Sequence, residues 1–196
     1  MTPEPERLAL PGAEAALHRR AFPPEEADRL FKILRRELDW REATITIFGR
    51  EIAQPRLSAW YGDAPYTYSN LTWPARPWPD VLLPIKRQVA ALAGEPFNGV
   101  LANLYRDGRD SMGWHADDEP ELGPDPVVAS VVFGAARRFV LKRKDDAQVK
   151  LDVPLGHGDL LIMGPGTQRH WLHAVPKTTK PVGERINLTF RLITGC

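Results

Sequence analysis

From Phe97 onward, apolar residues recur at every second position in short runs, and this alternation is the feature that most limits the fold. Successive side chains of a β-strand point to opposite faces, so such runs predict half-buried strands. Glycine, proline and aspartate separate the runs, as expected for tight turns. Many short strands indicate two packed antiparallel sheets, as in a β-sandwich or jelly roll. The predicted strands are Phe97–Tyr105, Val127–Phe133, Arg138–Arg143, Val149–Val153, Asp159–Met163, Trp171–Ala174 and Arg185–Leu192.

The first half of the chain predicts two helices that cover one sheet. Glu25–Leu38 and Asp80–Ala93 each carry an apolar stripe with helical spacing, and Gly94 can end the second helix. Between them, Thr44–Phe48 and Arg56–Tyr61 predict a β-hairpin. The fold class is therefore α+β and mainly β: a double-stranded β-helix, or jelly roll, with N-terminal helices packed on one sheet.

Length and composition favour an ordinary globular protein rather than a membrane or nucleic-acid-coating chain. The 196 residues suffice for one domain over residues 1–196, with 43% hydrophobic and 26% charged residues. Because the net charge is only +1, any basic surface must be local. The single cysteine, Cys196, cannot form an intrachain disulfide, which favours a reducing compartment. We expect a cytoplasmic or other intracellular monomer, and no apolar run suggests a membrane partner.

His115 and Asp117 form the first candidate for chemistry. Residues two apart in an extended segment point to the same side, so these side chains lie together. With a second imidazole they would complete the facial triad that holds non-haem Fe(II). His157, His170 and His173 are the candidates, although His157 lies in a Gly-His-Gly turn that favours a local hydrogen bond. Only one of His170 and His173 can face the same way, and spacing alone does not choose between them.

The last predicted strand has a polar face. A solvated outer face of an antiparallel sheet would show the same alternation. Alternatively, its two arginines point between the sheets, where a planar guanidinium matches the carboxylates of a dicarboxylate ligand. Residues Arg185, Asn187, Thr189 and Arg191 share this face, and Asn103 and Tyr105 share one face of an earlier strand.

Taken together, Asn103-Leu-Tyr105, His115-Ala-Asp117, His173 and Arg185–Arg191 resemble the AlkB family of iron- and 2-oxoglutarate-dependent dioxygenases, which repair alkylated bases. The order and spacing of these pieces are far more specific than the His-x-Asp pair alone. Weaker similarity extends through the N-terminal half, so the resemblance covers nearly the whole chain after about residue 10. It is strongest to the branch that acts on double-stranded DNA in animals.

The resemblance implies a set of ligands and a reaction. Fe(II), 2-oxoglutarate and O2 would together hydroxylate an N-methyl group, which then leaves as formaldehyde. It divides the chain into N-terminal helices with a nucleotide-recognition hairpin, about residues 1–95, and a catalytic core, about residues 96–194. It assigns iron to His115, Asp117 and His173, and 2-oxoglutarate to Arg185 and Arg191, with Asn103, Tyr105 and Asn187 beside them.

A flipped base would need aromatic and acidic neighbours. Tyr66 and Tyr68 resemble the base-stacking aromatics of the family, although ordinary loop packing would look the same. The carboxylates of Asp118 and Glu119 would favour a cationic lesion over a neutral base, unless they form a solvated turn. Phe48, at the hairpin tip, would fill the gap left by the base, unless it is simply a buried strand end.

A local basic run is the candidate for contacts with a nucleic-acid backbone. The expected partner is alkylated DNA, single- or double-stranded, with lesions of the 1-methyladenine and 3-methylcytosine type. RNA, a tRNA nucleoside or a protein remains an alternative substrate for the same chemistry, and a non-enzymatic binding module is the alternative in another class. The basic residues are Arg137, Arg138, Lys142, Arg143 and Lys144, with Arg56 and Arg109; a solvated strand face would carry the same residues.

Overall fold

The computed structural model describes residues 4–47, 50–68 and 71–195, without the side chains of 45–47, 50–52 and 68. The predictions for Phe48 and Cys196 therefore lie outside the described residues. The helices are α1 (Pro24–Glu37), α2 (Leu82–Ala93) and the short α3 (Thr167–His170). The strands are β1 (Glu6–Arg7), β2 (Ala15–His18), β3 (Arg41–Ile47), β4 (Arg50–Gly62), β5 (Tyr66–Tyr68), β6 (Leu71–Trp73), β7 (Gly99–Tyr105), β8 (Met112–His115), β9 (Val128–Gly134), β10 (Arg137–Arg143), β11 (Lys150–Leu155), β12 (Leu160–Met163), β13 (Trp171–Val175) and β14 (Arg185–Arg191).

Two antiparallel sheets form the predicted jelly roll. The large sheet has the strand order β1-β2-β12-β9-β14-β7-β4-β3, and the small sheet has the order β11-β10-β13-β8. Strands β7 and β14 lie side by side in the middle of the large sheet and are buried along their whole length. Both faces of these two strands are buried, because helices cover one face of the large sheet and the small sheet covers the other.

The helices cover the large sheet, as the apolar stripes predict. Helix α1 buries Leu30 and Leu34 and contacts β9 and β14. Helix α2 buries Ile85 and Val89 and ends at Gly94, whose φ of 71° is left-handed and suits glycine. Acidic residues in the first turn of α1 and basic residues in its last turn interact favourably with the helix dipole.

The predicted strands are confirmed to within one or two residues at most ends, but β8 was not among them. Gly113 and Trp114 are exposed, so Met112–His115 does not alternate between apolar and polar residues. The predicted loop from Ala64 to Pro79 also contains a small β5–β6 hairpin. Among the described helices, none combines the length and apolar character needed to cross a bilayer.

Candidate active site

The two sheets bring His115, Asp117 and His173 together in the interior. On β8, His115 pairs directly with His173 on β13, and Asp117 follows two residues later. Ligand atoms from the three side chains all lie within 4.8 Å of one another. The distance from Asp117 Oδ1 to His115 Nε2 is 4.0 Å, and that from Asp117 Oδ2 to His173 Nε2 is 3.8 Å. Two imidazoles and a carboxylate thus surround one point.

The other two candidate histidines lie elsewhere. His170 ends helix α3, directly before β13 begins at Trp171. His157 accepts a hydrogen bond from the backbone N–H of Gly134 at 2.8 Å, a partner 23 positions away in the chain and not one within its own turn. The structure therefore decides among the three candidate histidines. Only His173 lies close to both His115 and Asp117.

Hydrogen bonds help to position two of the three candidate metal ligands. The Nδ1 atom of His115 lies 2.8 Å from the carbonyl oxygen of Gly113, and a donor there would leave the Nε2 lone pair for a metal. The backbone N–H of Asp117 donates to Gln168 Oε1 at 2.9 Å. Sequence reasoning missed Gln168, because no spacing or periodicity marks a residue of a four-residue helix.

The electrostatics of the group favour binding of a cation. Burial tends to raise the pKa of Asp117, but the Arg191 charge and the two imidazoles outweigh it and hold this pKa below its usual range. Burial lowers the pKa of His173 to about 3 and also lowers the pKa of His115. Near neutral pH both imidazoles are therefore neutral and the carboxylate is ionised, which are the forms that bind metal.

One oxygen of the Asp117 carboxylate lacks a hydrogen-bond partner among the described residues, and it tests whether an iron ion fits between the three side chains. Asp117 is only 1% exposed, and its Oδ2 atom has no hydrogen-bond partner within the described part of the chain. A buried carboxylate oxygen without a partner costs about 1–3 kcal/mol, which a bound cation would offset. His115, Asp117 and His173 therefore fit an Fe(II) ion.

The polar face of β14 points into the protein. Arg185, Asn187, Thr189 and Arg191 are all buried, so the solvated-face interpretation is wrong. Arg191 Nη2 donates to Asp117 Oδ1 at 2.8 Å, which joins this face directly to the candidate metal ligands. Burial tends to lower the pKa of Arg191, but the Asp117 charge raises it above its usual range, so this guanidinium stays charged.

Arg185 is a buried cation with spare donors. Its Nη2 atom donates to Asn187 Oδ1 at 3.1 Å, whereas Nε and Nη1 have no hydrogen-bond partner among the described residues. Burial lowers its pKa to about 10, against an opposing contribution from Tyr105. A guanidinium that remains charged and unmatched in the interior fits an anionic ligand, and its planar fork suits a carboxylate such as that of 2-oxoglutarate.

A narrow cavity of about 30 Å³ opens between the sheets at this point. Asn103 Oδ1 in its wall accepts hydrogen bonds from Arg56 Nε at 2.8 Å and Ser58 Oγ at 2.9 Å. These bonds leave the amide nitrogen of Asn103 directed away from Arg56. The cavity is lined by Leu101, Asn103, Tyr105, Met112, His115, Asp117, Ser130, Phe139, Met163, His173, Ala174, Val175, Asn187, Thr189 and Arg191.

Two predicted contacts with nucleic acid are wrong because the side chains are buried. Arg56 lies in the interior against Asn103, so it orients a cavity residue rather than reaching a phosphate. Arg137 is also buried and donates to the carbonyl oxygens of Asp107, Asp110 and Pro176. The sequence shows charge but not burial, so neither role was visible in it.

The prediction for Tyr66 also needs correction. Its ring is 0% exposed and stacks on Trp60, with centroids 4.7 Å apart, while the Arg191 guanidinium lies 5.1 Å from its centroid. A base cannot stack on a ring that is enclosed in this way, so Tyr66 packs against the site instead. Tyr68 belongs to β5, but its side chain lies outside the described residues, as does Phe48.

The two carboxylates that follow Asp117 lie in different environments. Asp118 is exposed and pairs with Lys144, whose Nζ lies 2.9 Å from its Oδ2. Glu119 is half-buried, and burial together with the Asp117 charge raises its pKa to about 7. The Glu119 carboxyl therefore interacts with the buried charge of Asp117, whereas Asp118 forms an ion pair at the surface.

The remaining basic residues lie at the surface, mostly in ion pairs. Lys142 is the exception in the basic run, since its ammonium lies 4.4 Å above the centroid of the Trp114 ring. The ion pairs are Arg109 with Asp107, Arg138 with Asp152, Arg143 with Asp145, and Lys144 with Asp118.

A jelly roll that holds two imidazoles, a carboxylate and two guanidinium groups between its sheets defines a non-haem metal oxygenase. The sequence profile of the 2OG-Fe(II) oxygenase superfamily matches residues 14–191. The chain therefore belongs to the 2OG-Fe(II) oxygenase superfamily, and within it to the AlkB family of dioxygenases. Fe(II), 2-oxoglutarate and O2 are the ligands that this family implies, and the residues described above fit the first two.

Named relatives agree with this placement. The chain is 44% identical over 178 residues to "Alpha-ketoglutarate-dependent dioxygenase alkB homolog 3" of Bos taurus, covering 86% of this chain and 62% of that protein. It is 43% identical over 186 residues to "DNA oxidative demethylase ALKBH2" of Homo sapiens, covering 88% and 70%. The chain thus spans less than two thirds of the alkB homolog 3 protein. A solved structure, described as "The structure of OsALKBH1", shares the fold with a TM-score of 0.66 at 20% identity, covering 95% of this chain and 100% of that one.

Proposed function

We propose that this protein is an Fe(II)- and 2-oxoglutarate-dependent dioxygenase that demethylates N-alkylated bases in DNA, of the 1-methyladenine and 3-methylcytosine type. The observation that carries the proposal is the convergence of His115, Asp117 and His173 within 4.8 Å beside the buried Arg185 and Arg191. The name of the human relative, DNA oxidative demethylase, supports DNA as the substrate.

The chain's own residues would hold and orient the reactants. Bound Fe(II) would supply the oxidation of the N-methyl group with O2 and 2-oxoglutarate, and the hydroxylated group would leave as formaldehyde. His115, Asp117 and His173 would hold the ion. Arg185 has two donors to spare for one carboxylate of the cosubstrate, and Arg191 Nε has no partner among the described residues. Arg191 can therefore donate hydrogen bonds to Asp117 and to the second carboxylate of the cosubstrate at the same time.

Selection of the lesion would depend on Glu119. A methylated adenine or cytosine of this type is cationic, and a nearby carboxylate favours it over the neutral base. The pKa of Glu119, raised to about 7 by burial and the Asp117 charge, means that a cationic partner would shift it to the ionised form. Tyr68 and Phe48 stay as predictions for stacking and gap filling. Asp118, paired with Lys144, would lie at the rim.

Formaldehyde release from a methylated oligonucleotide tests the proposal. We expect release by the protein with Fe(II), 2-oxoglutarate and O2, and loss of at least about 100-fold in His115→Ala and Asp117→Ala, because a facial triad needs each ligand. His170→Ala is the matched control, since it removes an imidazole three residues from His173 and should keep the parental rate. Parental turnover by either triad variant would show that the assignment is wrong.

The substrate class is tested by comparing methylated single-stranded DNA, duplex DNA and RNA of one sequence. Faster turnover of RNA would replace DNA by RNA in the proposal, and turnover of a methylated peptide alone would indicate a protein substrate. A non-enzymatic binding module would bind no iron in an anaerobic titration. We further propose a monomer that folds as one domain in an intracellular compartment; the single cysteine supports the compartment only.

A further inference from the structure

An exposed tryptophan lies directly beside a candidate metal ligand. Successive residues of a strand point to opposite sides, so His115 faces the interior and Trp114 faces outward from the small sheet. The Trp114 side chain is 44% exposed, and with Val149 it makes up the exposed large hydrophobic residues of the part that the structure describes. Within the described part of the chain, the Lys142 ammonium lies over this ring, 4.4 Å from its centroid.

Three lysines without carboxylate partners among the described residues lie on or beside the outer face of the small sheet that carries Trp114. Lys142 lies over its ring, and Lys150 is the direct cross-strand neighbour of Lys142 in the β10–β11 pair. Like charges placed directly opposite each other in such a pair repel unless an anion lies between them. Lys177 lines a groove together with Trp114. Within residues 4–47, 50–68 and 71–195, no carboxylate lies within 4.0 Å of these three ammonium groups.

The neighbouring cations differ in this respect. Arg138, Arg143 and Lys144 each pair with an aspartate, so their charge is largely neutralised. The unneutralised charge of this surface therefore concentrates around the exposed ring. We call the set of Trp114, Lys142, Lys150 and Lys177 the tryptophan–lysine face.

A groove of about 190 Å³ adjoins the ring and has mainly apolar walls. This size accommodates a flat heteroaromatic ring, with Trp114 on one side and Lys177 at the edge. The other lining residues are Ser111, Met112, Gly113, Val140, Ala174 and Pro176.

We propose that the tryptophan–lysine face binds the single-stranded nucleic acid that flanks the modified base. An unpaired base would stack on Trp114 at the groove, and its neighbouring phosphates would contact the lysines. An acidic protein would use the charge but not the aromatic ring, and a duplex keeps its bases inside, so single-stranded nucleic acid matches both features. The inference rests on the proposed function, which supplies a nucleic-acid substrate. Trp114 precedes His115 on β8, the edge strand of the small sheet, so a strand bound to the outer face has to pass only this edge to reach the site.

Binding of an unmodified, fluorescently labelled 15-nucleotide single strand, without metal or cosubstrate, tests the inference. We expect Trp114→Ala to weaken the affinity about 5- to 100-fold, as loss of one stacked base does, and Trp114→Phe to keep most of it. The double variant Lys142→Gln/Lys150→Gln should reduce the slope of log affinity against log salt by about 1.4, since each lost contact with a single strand contributes about 0.7. Lys32→Gln changes an exposed lysine on helix α1, which packs on the large sheet, and should change neither quantity.

Three results would overturn the inference. The first is parental affinity in Trp114→Ala. The second is an unchanged salt slope in the lysine double variant, which also provides the test should Trp114→Ala fail to fold in circular dichroism. The third is equal weakening by Trp114→Ala for a fully paired duplex, or tighter binding of a polyglutamate peptide than of the oligonucleotide. Because no turnover is measured, failure here is distinguishable from absence of formaldehyde release, which would count against the proposed function instead.

Discussion

At the scale of single residues, Asp117 has several structural roles at once. It is buried, it accepts a hydrogen bond from Arg191, and its backbone N–H donates to Gln168. The sequence identified Asp117 and Arg191, because the His-x-Asp pair and the alternation of β14 are local patterns. It did not identify Gln168 as a partner of Asp117 or Arg56 as a partner of Asn103, since these hydrogen bonds join residues 51 and 47 positions apart in the chain.

Removal of this carboxylate should destabilise the metal-free protein. Asp117→Ala leaves the buried Arg191 guanidinium without its ion pair, so we expect a loss of about 3–5 kcal/mol in the free energy of unfolding. Asp118→Asn removes only a surface pair and should cost less than about 1 kcal/mol. Urea denaturation of both variants measures the difference. Equal losses in the two would show that the Asp117–Arg191 pair does not contribute as described.

At the scale of elements, the loops that flank the site are joined to each other. The loop from β7 to β8 meets the loop from β13 to β14, where the Thr178 N–H donates to the Gly108 carbonyl at 2.9 Å. A Cβ atom at position 108 would lie 2.4 Å from the Thr178 carbonyl oxygen, so only glycine permits this approach. Arg137 bridges the same loops through its bonds to carbonyl oxygens. Sequence patterns predicted the strands well, but not this contact between loops.

Substitution of Arg137 should therefore loosen both loops. Arg137→Gln leaves three carbonyl oxygens without their donor, and we expect a loss of about 2–4 kcal/mol in the free energy of unfolding. Arg138→Gln, on the next residue, breaks an exposed pair with Asp152 and should cost less than about 1 kcal/mol. Guanidinium denaturation compares them. A stable Arg137→Gln protein that instead lost affinity for DNA would restore the original surface interpretation.

At the scale of the whole molecule, alternation of apolar residues predicted the jelly roll and the helices that cover it. Closure of the two sheets then places β7, β8, β13 and β14 around one cavity, although their residues are widely separated in the chain. The surface was predicted less well. Whether a basic residue is paired, buried or exposed depends on neighbours that only the folded chain supplies, as Arg56 and Arg137 show.

Cosubstrate binding should stabilise the whole molecule through Arg185. At a concentration about 100 times the dissociation constant, a ligand of the native state adds about 2.7 kcal/mol, which for a domain of this size raises Tm by about 5–10 °C. We expect that shift when 2-oxoglutarate is added with a redox-inert divalent metal in place of iron. Arg185→Gln should abolish it, whereas Arg138→Gln should retain it. Differential scanning fluorimetry gives the readout, and a full shift in Arg185→Gln would remove Arg185 from the site.

The ion pair between Arg191 and Asp117 has a consequence for how the cavity fills. Its two charges cancel and both imidazoles are neutral, so the buried guanidinium groups of Arg56 and Arg185, which pair with no carboxylate among the described residues, leave the interior with a net positive charge. A divalent cation and a dicarboxylate dianion arriving together leave that total unchanged. The cation alone would add two positive charges to a poorly solvated interior that is already positive, which is costly. Electroneutral loading thus favours synergistic uptake, in which each reactant increases the affinity for the other.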